Sequence, residues 1–66
     1  MKIQLNGEPR DIPDNCTAQG LVEHLGLTGK RLAMEVNRDI VPRTQYAAYT
    51  LKEGDEVEIV HAIGGG

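Results

Sequence analysis

Few residues in this chain have side chains that react. Among its 66 residues there is one cysteine, Cys16, and there are two histidines, His24 and His61. A single thiol forms no internal disulfide, and one Cys with two separated imidazoles lacks the spacing of a metal site. There is no Cys–His or Ser–His–Asp arrangement, and no glycine-rich phosphate loop followed by Lys. The remaining candidate for chemistry is the closing run Gly64-Gly65-Gly66.

Three glycines build neither a core nor a strong helix or strand, because glycine loses the most conformational freedom on ordering. Taken alone, the run has two readings. One is a flexible end. The other is a tail that threads a narrow channel, since a chain without Cβ atoms has the smallest cross-section and adopts whatever φ the channel requires. In that reading Gly65 and Gly64 pass through a partner's site and Gly66 presents the reacting carboxylate. A carboxylate is a poor electrophile because oxide leaves poorly. Transfer of AMP from ATP gives an acyl-adenylate with a good leaving group. A sulfur nucleophile that displaces AMP then leaves a thiocarboxylate, a soft anionic nucleophile at neutral pH. These steps need no catalytic side chain from this protein, so the ATP site and the sulfur source would belong to partners.

The rest of the chain must position that end. Lys2 to Leu5 alternates with Ile3 and Leu5 on one face, the period of a half-buried strand. Asn6-Gly7 is a strong hairpin turn signal, and Pro9 to Ile12 reads as a return strand placed at an edge because Pro9 has no N–H to donate. Ala18, Leu21, Val22 and Leu25 then fall at i, i+3, i+4 and i+7, which predicts a helix of about nine residues with one apolar stripe. Thr17 suits its N-cap and Gly26 its C-terminal turn. Leu32, Met34 and Val36 alternate as a third strand, and Ile40-Val41 forms a short fourth one stopped by Pro42. Arg43 to Tyr49 reads as a loop with one helical turn. Leu51 rejoins the core, Glu53-Gly54-Asp55 turns, and Glu56 to Val60 is the last strand, with Val57 and Ile59 inward.

So short a helix is marginal alone and must lay its stripe on a sheet. The order predicts an α+β architecture, a β-grasp: a mixed sheet of four to five strands packed on one helix, with the first and last strands central. Residues 1–61 would form the domain and 62–66 a flexible tail.

Other residues carry weaker signals. Cys16 precedes the helix at a position from which it can pack on Leu21 as a hydrophobic staple. His24 lies off the apolar stripe and His61 just past the core, both read as solvated. Glu53, Asp55, Glu56 and Glu58 read as a solvated acidic face or as a dock for a basic partner. Val60 should point to the outer sheet face, Ile63 lies beyond the fold, and Ala33 would share that face. These apolar residues beside a reactive tail form a candidate docking patch. Arg43 either contacts a partner or holds the loop after Pro42.

Composition excludes several classes. With a net charge of −3 the chain repels phosphate backbones, so nucleic acid is not an expected partner. No apolar run reaches the roughly 20 residues that cross a bilayer. The alternating opening Met1-Lys2-Ile3-Gln4-Leu5 lacks the apolar stretch of a signal peptide, which with the unpaired cysteine points to the cytoplasm. A cluster-binding β-grasp ferredoxin would need four Cys ligands. A monomer that binds no metal or cofactor is expected.

Over essentially its full length the chain resembles the ThiS family of sulfur carriers of thiamine biosynthesis. The match rests on Asn37-Arg38-Asp39-Ile40-Val41-Pro42-Arg43, which fits an N-x-x-I-V-P-R run, and on Gln45 soon after it. Glu53 to Val60, the terminal glycines and the opening Ile3 to Glu8 also fit. The resemblance implies a ubiquitin-like β-grasp fold and a protein co-substrate rather than an enzyme. It implies adenylation of Gly66 by an E1-like enzyme of the ThiF type using ATP with Mg. It further implies sulfur from a cysteine-desulfurase-derived donor and delivery to a thiazole synthase of the ThiG type. Two readings compete. The small subunit of molybdopterin synthase has the same fold and end, but the Ile-Val-Pro-Arg run argues against it. A ubiquitin-like interaction domain that carries no sulfur is the other.

Overall fold

The computed structural model describes residues 1–61. Strand β1 (Lys2–Leu5) and strand β2 (Glu8–Asp11) form the first hairpin, followed by helix α1 (Ala18–His24). Strand β3 (Leu32–Val36) and strand β4 (Asp39–Val41) form a second hairpin, a 3-10 helix spans Arg43–Ala48, and strand β5 (Glu56–His61) comes last. The sheet order is β2-β1-β5-β3-β4. β5 pairs parallel to β1 and antiparallel to β3, so the sheet is mixed and the last strand lies at its centre.

The two hairpins use the same device. Leu5 pairs with Glu8 across Asn6-Gly7, and Val36 pairs with Asp39 across Asn37-Arg38. All four loop residues have positive φ: 50° at Asn6, 84° at Gly7, 53° at Asn37 and 71° at Arg38. That is the backbone of a two-residue turn whose twist matches the strands it joins. β2 is an edge strand, as Pro9 requires, and is exposed along its length. It runs one residue earlier than expected. Ile12 falls just outside it, buried, with its N–H on the Met1 carbonyl at 2.8 Å.

Helix α1 has seven residues rather than about nine. Thr17 caps it as expected, its Oγ1 accepting from Gly20 N–H at 3.0 Å. Leu25 is already the C-cap, and Gly26 turns the chain out at a φ of 72°. Ala18, Leu21 and Val22 are buried against Ile3, Met34, Val36, Val57 and Ile59 from the inner sheet face. The segment after Pro42 is a full 3-10 helix, through which Tyr46 enters the core. Leu51 is buried, and its N–H meets the Cys16 carbonyl at 2.8 Å, tying the long connection to the start of the helix.

One expectation fails. Asp55 belongs to the core rather than to a solvated acidic face, with 9% of its surface exposed. Its carboxylate accepts from the Lys52 N–H at 2.8 Å and from Asn37 Nδ2 at 3.0 Å. A buried carboxylate needs such donors, and the turn supplies them.

Candidate functional site

β5 is held on both sides. Its start is fixed by Asn37, whose N–H donates to the Glu56 carbonyl at 2.7 Å and whose Oδ1 accepts from Glu56 N–H at 3.0 Å. Its far end is paired to β3, with Ala33 opposite Val60 and Leu32 opposite His61. The alternation that buries Val57 and Ile59 sends Glu56, Glu58 and Val60 to the outer face. Val60 is 60% exposed there.

The candidate docking residues come together as far as they are described. Ala33, Val60 and Arg43 line one open depression with Arg31, Leu32 and His61. Arg43 reaches it from the first position of the 3-10 helix, and it makes no ion pair among the described residues. Ile63, Gly64, Gly65 and Gly66 lie outside the described residues, and so does the proposed reacting carboxylate.

Sequence reasoning missed Ile40, which is 74% exposed. Glu35 stands opposite both Ile40 and Glu58, so Ile40 shares the outer face with Ala33 and Val60. The signal was present: Val41 beside it faces the core, which forces Ile40 outward. The face is therefore apolar at Ala33, Val60 and Ile40 and acidic at Glu35, Glu56 and Glu58. Like charges directly opposite, as at Glu35 and Glu58, weaken a sheet by up to about 1 kcal/mol.

The alternative chemical groups offer little. Cys16 is buried, its Sγ donates to the Thr17 carbonyl at 3.4 Å, and burial pushes the thiol pKa up, away from the reactive thiolate. Its Sγ sits so close over Gly20 that a Cβ added there would lie 3.3 Å from it. His24 and His61 are exposed. Among the described residues no group of three His, Cys, Asp or Glu side chains is placed to hold a metal. No helix among them is long and apolar enough to cross a membrane.

A five-stranded mixed sheet gripping one helix, with the last strand at its centre, defines the ubiquitin-like β-grasp class. The model of the ThiS family matches residues 3–66, and the chain belongs to that family. A Bacillus subtilis sulfur carrier protein ThiS is 36% identical over 97% of this chain and 98% of its own length. The crystal structure of a thiamine biosynthesis protein (ThiS) from Geobacter metallireducens superposes with a TM-score of 0.86 at 28% identity, covering 100% of both chains. A thiazole synthase from Magnetococcus marinus is 46% identical over 100% of this chain, which spans 20% of that protein's length.

Proposed function

We propose that the carboxylate of Gly66 is the group this carrier charges and discharges. An E1-like activating enzyme of the ThiF type, using ATP with Mg at its own site, joins AMP to the carboxylate and releases pyrophosphate. A persulfide derived from a cysteine desulfurase displaces AMP to give an acyl disulfide, and a second thiol on the partner cleaves that S–S bond, leaving the thiocarboxylate and a partner disulfide. A ThiG-type thiazole synthase in the cytoplasm then takes the sulfur for the thiazole of thiamine. The carrier is a co-substrate in this scheme, binds no metal or cofactor itself and acts as a monomer. Residues 62–66 form its tail, with Gly64 and Gly65 threading the partner's site.

The observation that carries the reading is the family match through residue 66, which includes the glycine run. The Magnetococcus marinus thiazole synthase supports the acceptor, because a segment like this chain is part of that protein. Val60, Ala33 and Arg43, with Ile63 beyond them, are the residues assigned to docking. Val60, Ala33 and Arg43 gather at the end of β5.

The test is intact mass after co-expression with the activating enzyme and a sulfur donor. The expected result is a gain equal to one oxygen-for-sulfur exchange, lost when Gly66 is deleted. An unchanged mass in a sulfur-competent host would sink the proposal. Adding thiazole synthase should return the mass to its starting value.

A further inference from the structure

We propose that Asn6 is a positioning residue for the charging reaction, because its side chain completes the pairing of the strand that precedes the tail. The inference rests on the charging role proposed above. The main-chain ladder between β1 and β5 is short. Gln4 N–H donates to the Asp55 carbonyl and Asn6 N–H to the Val57 carbonyl, each at 2.9 Å. The chain then turns away at Asn6-Gly7, so no further β1 residue lies beside Ile59. The Asn6 side chain takes its place. Its Oδ1 accepts from Ile59 N–H at 2.9 Å, and its Nδ2 donates to the Ile59 carbonyl at 3.3 Å. One carboxamide thus supplies the donor and the acceptor of the missing strand residue.

Ile59 is buried, so its main-chain groups need partners. Without the Asn6 side chain, β5 beyond Val57 is paired only on its β3 side, where Ala33 and Leu32 hold Val60 and His61. The outer docking face survives that loss, because it is built from β3 and β5. The placement of β5 at Ile59 does not, because that stretch is then held by one ladder only. A misplacement of about 1 Å in a reacting group can cost on the order of 100-fold in rate. Asn6 therefore acts on the placement of the strand before the tail more than on the affinity of docking.

Asn6→Gly separates the clamp from the turn. Glycine accepts the φ of 50° at this position without strain and removes the carboxamide with its Cβ. Asn6→Asp keeps an acceptor for Ile59 N–H and loses the donor. Two readouts apply. In amide hydrogen exchange, Asn6→Gly should speed exchange at Ile59 and leave that at Leu21, inside α1, unchanged. In ATP–pyrophosphate exchange with the activating enzyme, kcat should fall about tenfold in both variants while KM for the carrier stays within about twofold, because the second carboxylate oxygen of Asn6→Asp faces the Ile59 carbonyl. An unchanged kcat, or a raised KM at full kcat, overturns the positioning role while the charging role stands. If the unsubstituted carrier supports no exchange at all, the charging role itself fails. Should Asn6→Gly not fold, the same criteria apply to Asn6→Asp.

Discussion

Asn37 and Asp55 lie 18 residues apart in sequence and meet through one hydrogen bond of 3.0 Å, Nδ2 to Oδ1, at the start of the central strand. The other Asp55 oxygen holds the Lys52 N–H, and the Asn37 amide oxygen holds Glu56 N–H. Asp55→Ala frees two donors at once and should destabilise the fold by about 1–3 kcal/mol, read as a lower urea midpoint with an unchanged slope. Asn37→Gly keeps the turn's positive φ but also loses two hydrogen bonds, to Asp55 Oδ1 and from Glu56 N–H, and should cost a comparable amount.

The second hairpin turn can be improved. Arg38 adopts a φ of 71° where the matching residue of the first turn is Gly7. A non-glycine residue there is disfavoured by about 1 kcal/mol or more. Arg38→Gly should therefore raise stability by about 0.5–1 kcal/mol, visible as a higher thermal midpoint.

Cys16 gives a pH signature. Burial raises its pKa in the folded state, so folding favours the protonated thiol. That stabilisation is fully present below the unfolded thiol pKa of about 8.5 and is lost as pH rises through the higher folded value. Unfolding free energy should fall on the alkaline side, and the Cys16 contribution should vanish in Cys16→Ala when the two proteins are compared by urea titration. The thiol should resist alkylation until the chain unfolds. Cys16→Ala should also still be charged at Gly66, which separates this buried group from the proposed sulfur chemistry.

The outer face makes a different prediction. Val60→Asp places a charge on an exposed position, so stability should change by less than about 0.5 kcal/mol. Affinity for the activating enzyme should drop about tenfold, measured by titration calorimetry, as for a central apolar contact. Arg43→Glu should weaken the same association and alter its salt dependence. Unaltered binding in both variants would remove this face from the docking assignment.

Much of this was legible in the chain itself. The period-two runs at Ile3, Met34 and Val57 mark strands because one face of each is buried. Asn6-Gly7 and Thr17 announce their turn and cap through local chemistry alone. Asp55 was not legible, because its burial depends on Asn37, a partner brought near only by the closed sheet. The 3-10 helix was half legible. It buries Tyr46 alone, and one apolar residue sets no period. The outward place of Val60 followed from simple alternation. Its company with Arg43 did not, since Arg43 approaches from a separate segment. The glycine run was read through its chemistry and family resemblance rather than through packing.

The parallel pairing of β1 with β5 has a consequence for biosynthesis. A nascent polypeptide that has not yet emerged as far as β5 holds two hairpins with no ladder between them, and isolated hairpins are marginal in water. Cooperative structure should therefore form only once β5 is available to join them. A truncated product that lacks β5 should therefore be cut by proteases far faster than the full chain.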